Sequence, residues 1–320
     1  MVPAAALEYG GAVSTSIAPW PRIAQAGDGE PLSYRIDETA PPSAGADSEP
    51  RAGRTPILTT HGLVSSVHHW MFFTPHFARE RPVVSWHYRG HGGQPVPRDR
   101  EVSVAQFADD ADAVWRASGA APAIVVGLSF GVQVALEIWR RHPDAVRALV
   151  LICGTAGHPL DRVSSSPRLR RGATQLFRLL GQRRLLAGGA LGVLRTRAGQ
   201  RLARELTYLS GGALRDACPD EVLAGLFGHV ATLDPALIGN LVAAYLEHSA
   251  EDVLPTITVP TLIIAGDRDQ LTPVAAAERM QRAIPGSELS VFPGHTHLVQ
   301  VEAPIEVHAA IDAFLRRHAL

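Results

Sequence analysis

Gly127-Leu128-Ser129-Phe130-Gly131 sets a serine between two glycines, directly after the β-branched apolar run Ala123-Ile124-Val125-Val126. The residues that follow, Val132 to Arg141, read as a helix through Val134, Leu136, Ile138 and Trp139, and Pro143 lies just beyond its end. Strand, tight turn and helix around G-x-S-x-G is the setting of a nucleophile elbow. Both glycines are expected because a Cβ at either place would strike neighbouring backbone. The serine is then held strained, its hydroxyl raised at a helix N-terminus where negative charge is favoured. The plain alternative is a chance match in a chain with 29 glycines; the strand–turn–helix setting argues against it.

A serine hydroxyl is a poor nucleophile near neutral pH and needs an adjacent base, itself oriented by an acid. Two later segments supply both. Gly266-Asp267-Arg268-Asp269-Gln270-Leu271-Thr272-Pro273 follows the apolar run Thr261–Ala265, and Pro293-Gly294-His295-Thr296-His297 follows Glu288–Phe292. Serine, acid and histidine thus come in the order such an elbow requires, each after a strand-like run.

The elements that must hold these residues are legible around them. Pro56–Thr60, Pro82–Tyr88, Ala123–Leu128, Arg147–Gly154, Thr261–Gly266 and Glu288–Phe292 read as strands, and Val104–Ser118, Val132–Arg141, Pro273–Ala283 and Pro304–Arg316 as helices. This alternation implies a mainly parallel sheet covered by helices on both faces, an α/β class. Arg22–Gln25 and Leu32–Asp37, around Gly27-Asp28-Gly29, predict a leading hairpin, and residues 38–54 a flexible loop.

Strand signals vanish between about 155 and 254, where Leu169, Ala173, Leu176, Phe177 and Leu180 recur at helical spacing. We expect a helical cap over 155–254 inserted into a core domain formed by 1–154 and 255–320. The first half of the cap is cationic: Arg168, Arg170, Arg171, Arg178, Arg183, Arg184, Arg195, Arg197, Arg201 and Arg204 meet few acids. Either these arginines solvate the outer faces of lid helices, or they attract an anionic substrate, a carrier or a lipid surface.

Composition narrows the function classes. Hydrophobic content of 46% with 19% charged residues fits a globular protein with ample core, and a net charge of −1 gives no global drive toward nucleic acid or anionic membrane. All 30 basic side chains are arginine, which reads as codon bias. Two cysteines, Cys153 and Cys218, suit a reduced compartment better than a disulfide framework. With no basic residue before Arg22 and no long apolar run, neither a secretory signal nor a membrane span is expected, so the expectation is a cytoplasmic protein.

Together with His61-Gly62-Leu63 and Arg89-Gly90-His91-Gly92, each after an earlier strand, these motifs make the chain resemble the α/β-hydrolase superfamily from about Ile23 to the C-terminus. The resemblance implies Ser129 as nucleophile. It implies Asp269 as the acid, three residues after the glycine and before a Thr-Pro helix start, with Asp267 capping local backbone. For the base, His297 stands five residues before Glu302 of the Glu-x-Pro segment, the family's usual spacing, while His295 has the preceding glycine. We favour His297 and leave His295 as a pocket residue. The oxyanion hole is implied at the backbone N–H groups of Leu63 and Phe130. His61 and His91 are expected to brace loops. His68-His69 lack a third ligand at useful spacing, so no metal and no cofactor is expected. Trp70, Phe72 and Phe73 either line an acyl pocket or form core, and Phe130 is expected to make the site greasy. Leu128 departs from the histidine or aromatic that relatives often carry before the serine.

The implied activity is that of a serine hydrolase of the esterase or lipase-like group, acting on a small-molecule ester with an apolar acyl chain. The same triad serves lactone hydrolysis, carbon–carbon bond hydrolysis, perhydrolysis and aminopeptidase action. A ligand-binding homologue without catalysis is the non-enzymatic alternative; such proteins typically lose a triad member, and this chain keeps all three.

Overall fold

The computed structural model describes residues 20–38, 54–65, 67–97, 101–119, 122–159, 166–182, 189 and 191–320. Most of the loop expected over 38–54, and Arg183 and Arg184, lie outside the described residues. Eight strands form one sheet: β1 (Arg22–Gln25), β2 (Pro31–Asp37), β3 (Ile57–Thr60), β4 (Val83–Trp86), β5 (Ala123–Leu128), β6 (Val146–Ile152), β7 (Thr261–Gly266) and β8 (Glu288–Phe292). Their order is β1-β2-β4-β3-β5-β6-β7-β8. The first two strands form the expected hairpin, β2 pairs antiparallel with β4, and every other neighbour pair is parallel.

Successive side chains of a strand point to opposite faces, and here both faces are apolar. Ile57, Val83, Ile124, Val126, Val150 and Ile264 enter one core, against Phe73, Phe77, Val307, Ile311 and Phe314. Leu58, Val84, Val125, Leu149, Leu151 and Ile263 enter the other, against Phe107, Val114, Val134, Ile138 and Met280. Helices α1 (Val104–Ser118), α2 (Phe130–Arg141) and α7 (Val274–Ala283) therefore cover one face, and α8 (Pro304–Arg317) the other. The architecture is the expected α/β class, a mostly parallel sheet covered by helices on both faces.

The element limits shift slightly from expectation. β6 stops at Ile152 because Cys153 takes φ 45°, a left-handed conformation that ends the pleat. α2 starts at Phe130 instead of Val132, so the helix begins on the residue after the serine.

Between β6 and β7 the chain runs through α3 (Pro167–Gln182), α4 (Arg197–Leu209), α5 (Asp220–Val230) and α6 (Pro235–Glu247). Asp234 caps α6, its Oδ1 accepting from the N–H groups of Ala236 and Leu237, with Pro235 at the first helical position. α3 packs along α6, with Arg178 3.2 Å from Glu247. Both junctions of this segment meet α2. Gln133 Nε2 donates to Gly157 O at 2.9 Å on the way out. On the way back, His248 places Nδ1 3.0 Å from Gln133 Oε1 and Nε2 3.1 Å from Glu137 Oε2.

Candidate active site

Ser129 occupies φ 56°, ψ −116°, a region closed to relaxed L-residues and worth roughly 1–3 kcal/mol of strain. The surroundings enforce it. A Cβ on Gly127 would lie 2.5 Å from Gly131 O, and one on Gly131 would lie 2.3 Å from Thr60 O, so neither position accepts a side chain. Thr60 Oγ1 donates to Gly131 O at 2.8 Å, and Ser129 N donates to Ile152 O at 2.9 Å, pinning the turn to both neighbouring strands. Ser129 itself stays half-buried, between the buried Leu128 and Phe130.

Asp269 and His297 meet. His297 Nδ1 lies 2.7 Å from Asp269 Oδ2, and the carboxylate also accepts from Thr272 Oγ1 at 2.6 Å, Thr272 N at 2.9 Å and Leu271 N at 2.8 Å. Burial opposes its charge, but the bonds and charge of His297 and the two bonds from Thr272 hold its pKa below the ordinary carboxylate value. Asp267 is exposed and accepts from Gly294 N at 2.6 Å, bracing the turn ahead of the histidines. His295 Nδ1 sits 3.5 Å from Glu302 Oε2 and does not reach Asp269 through any described hydrogen bond. Glu302 serves the loop instead, accepting from Thr296 N at 2.8 Å, Thr296 Oγ1 at 2.6 Å and Leu214 N at 2.9 Å.

The His61-Gly62-Leu63 turn comes up beside the serine: a Cβ on Gly62 would stand 3.7 Å from Ser129 Cβ. His61 braces it, accepting at Nδ1 from Trp70 Nε1 at 2.7 Å and pointing Nε2 at Trp86 O. Tyr88 OH donates to His61 O at 2.9 Å, and His91 Nδ1 lies 3.1 Å from Arg89 O. Burial pushes His61 down to about 4 and His69 to about 3, so both imidazoles are neutral spacers at pH 7. Ser65 Oγ contacts His69 Nδ1 on the same turn. The N–H of Phe130 lies in the first turn of α2, where backbone donors point outward and favour an anion.

Three aromatics take the core place that sequence reasoning offered beside the pocket one, and other residues take places it did not give them. Trp70 and Phe73 are core, and Phe72 packs with Val222, Leu223 and Leu298. The Phe130 ring is fully buried against Tyr88, Phe107 and Tyr245, so it belongs to the core and makes nothing greasy at the site. Thr272 was visible only as a helix start, yet it gives Asp269 two of its donors. Cys153 is buried in the core, as a small residue there would be, but its thiol also faces Asp269. Burial, then the Asp269 charge, pushes that thiol well above its usual range and keeps it protonated. Cys153, Asp269 and His297 hold their ligand atoms within 4.8 Å of one another. Their 2.7 Å Asp–His contact is nevertheless a hydrogen bond. Two ligands on a tetrahedral Zn²⁺ would stand about 3.3 Å apart.

A strained serine at the head of a helix and a buried Asp269 bonded to the partly buried His297 lie on loops after β5, β7 and β8 of a mostly parallel sheet. The chain belongs to the alpha/beta hydrolase fold family, whose pattern it matches over residues 55–304. It is 27% identical over 266 residues to a pimeloyl-[acyl-carrier protein] methyl ester esterase of Neisseria meningitidis, covering 82% of this chain and 75% of that one. It is also 27% identical over 273 residues to 2-hydroxymuconate semialdehyde hydrolase of a Pseudomonas species, covering 81% and 86%. Among solved structures, a thermophilic esterase from Thermogutta terrifontis superposes with a TM-score of 0.70 at 22% identity, covering 93% of this chain and 98% of that one. Among the described residues no single helix is long and apolar enough to cross a membrane.

Proposed function

We propose that this hydrolase cleaves a small-molecule carboxylic ester through an acyl-enzyme on Ser129. The observation that carries the reading is the His297–Asp269 bond of 2.7 Å in a site whose serine is held at φ 56°. In this reading the Ser129 hydroxyl attacks the ester carbonyl carbon while His297 Nε2 takes its proton. Asp269, bonded at Nδ1, fixes the ring and stabilises the imidazolium. The carbonyl electrons move to the oxygen, which the N–H groups of Leu63 and Phe130 stabilise, each such donor being worth about 3 kcal/mol of barrier. Collapse breaks the C–O bond, and the alcohol leaves with the proton from His297. Water then repeats the sequence on the acyl-enzyme and frees the acid.

In the same reading residues 155–254 form a cap over a core made of 1–154 and 255–320, and the cap shapes the acyl pocket. The likeness to a methyl ester esterase supports an ester substrate. A second reading, hydrolysis of a carbon–carbon bond, draws support from the likeness to 2-hydroxymuconate semialdehyde hydrolase. Two buried free cysteines suit a reducing, cytoplasmic setting.

The test is labelling by a fluorophosphonate probe, with activity profiled on p-nitrophenyl esters, lactones and vinylogous diketones and Ser129→Ala as the blank. Labelling lost in Ser129→Ala with turnover of esters supports the proposal. Turnover of the diketones alone moves the reading to carbon–carbon cleavage, and a folded sample that resists the probe overturns both.

A further inference from the structure

Nine of the thirteen large apolar side chains exposed among the described residues fall between residues 169 and 209: Leu169, Leu176, Phe177, Leu179, Leu180, Val193, Leu202, Leu206 and Leu209. They are not scattered. On α3, Leu169, Leu176 and Leu180 are spaced seven and four apart and share one stripe, with exposures of 63%, 54% and 44%. The side that α3 turns inward carries the buried Thr174 and the paired Arg178. On α4, Leu202, Leu206 and Leu209 form a second stripe, exposed by 57%, 55% and 78%. A protein dispersed in water rarely leaves apolar surface this concentrated uncovered.

The charges beside these stripes are all of one kind at the helix starts. α3 carries Arg168, Arg170, Arg171 and Arg178 and no acid, and α4 carries Arg197, Arg201 and Arg204 with Glu205 its one acid. Arg168, Arg171, Arg197 and Arg201 are exposed and form no ion pair among the described residues. Arg168 and Arg197 stand in the first turns of their helices, where a cation opposes the helix dipole, so helix stability does not account for them. Leucines that enter hydrocarbon and arginines that meet anionic headgroups are the two halves of an interfacial helix.

We propose that the stripes of α3 and α4 dock this hydrolase on an anionic lipid surface, with the leucines entering the acyl boundary and the unpaired arginines on the headgroups. Charge complementarity selects anionic over neutral lipid. The exposed leucines offer the apolar half that a hydrocarbon boundary fills and a purely ionic partner does not. The inference is independent of the bond that Ser129 attacks.

The test is co-sedimentation of the full chain with vesicles of phosphatidylcholine alone and of equal parts phosphatidylcholine and phosphatidylglycerol, at low and high salt. Far-UV circular dichroism certifies the fold of each variant. We expect sedimentation with the anionic vesicles only, and partial release by salt. Arg168→Gln and Arg201→Gln, which flank the leucine stripes, should each weaken partitioning by about fivefold. The triple variant Leu202→Ser, Leu206→Ser, Leu209→Ser should abolish it at low salt. Failure to sediment with anionic vesicles at low salt overturns the proposal, as does equal binding to neutral ones. Retained binding in the leucine variant with loss in the arginine variants overturns it in favour of purely electrostatic docking. A dimer in size-exclusion chromatography that the leucine variant dissociates, with no vesicle binding, overturns it in favour of a second copy covering the stripes.

Discussion

Acidification is the perturbation to which this fold is most exposed, because seven of its described histidines are buried and held toward the neutral form, five of them most strongly: His61, His69, His87, His229 and His308. Their exposures run from 1% for His229 and His308 through 3% for His61 and 4% for His69 to 5% for His87. Burial pushes His61 down to about 4, His69, His229 and His308 to about 3, and His87 to about 2, from an ordinary value of 6.5. A folded pKa below the unfolded one means that protons bind the unfolded chain preferentially. Stability is then fully present above pH 6.5 and drains as the pH falls toward the folded values. At pH 5 the unfolded imidazole is almost fully charged and the folded one is not, which costs about 2 kcal/mol per histidine. Since pH 5 lies above all five folded values, the cost is set by the unfolded chain. Asp110, which burial against its Arg89 partner pushes up to about 6, takes up a proton when folded and offsets one of the five. The net loss is roughly 4 kcal/mol at pH 6 and roughly 9 kcal/mol at pH 5, against a whole stability of about 5–15 kcal/mol. Urea melts followed by tryptophan fluorescence between pH 8 and pH 5 should show stability falling by about 5 kcal/mol per pH unit near pH 5.5, close to four protons. For a whole stability of about 4–9 kcal/mol, the acid midpoint should fall between about pH 5 and 6. A slope of less than about one proton there, or an intact fold at pH 4, would refute the reasoning.

Three further outcomes are expected. His297→Ala should lower kcat on a p-nitrophenyl ester by about 10⁴-fold or more, whereas His295→Ala should leave it near wild type, and the reverse would exchange their roles. Gly131→Ala should fail to fold, since its Cβ lands 2.3 Å from Thr60 O, while Gly172→Ala, with nothing within 4 Å on exposed α3, should gain about 0.5–1 kcal/mol in a urea melt. Asp110→Ala should cost about 3 kcal/mol or more by the same measurement, because it strips the buried Arg89 of bonds at 2.7 and 2.6 Å and leaves only the half-exposed Asp28.

The parallel sheet was legible because each strand is a short apolar run that both faces need, as Ala123–Leu128 and Thr261–Gly266 illustrate. Gly127 and Gly131 were legible for a steric reason that the Cβ distances bear out. What stayed hidden depends on atoms far apart in the chain. Gln133, Glu137 and His248 form a polar contact across 111 and 115 residues, and the apolar spacing of α2 says nothing about it. Thr272 reads as a helix start until the turn after β7 aims its hydroxyl at Asp269. The Phe130 ring was misread because adjacency to the serine fixes where its N–H lies, not which core its side chain enters. Exposure of the leucine stripes was likewise invisible, since helical spacing marks an apolar face and leaves open what covers it.

The clasp at Gln133 and Glu137 bears on transplanting parts between hydrolases. Gly157 and His248, the departing and returning ends of the α3–α6 segment, are both held by α2, the helix that Ser129 heads. A chimera that imports another enzyme's helices together with these two points imports new ends as well. Without a donor at position 248, the buried Gln133 Oε1 loses its partner and Glu137 is left with Arg140 alone, both on the helix that aims the serine. Grafts cut between Gly157 and His248, leaving both in place, should keep the recipient's alignment of Ser129; grafts that replace His248 should carry a hydrogen-bonding side chain there to meet Gln133 and Glu137.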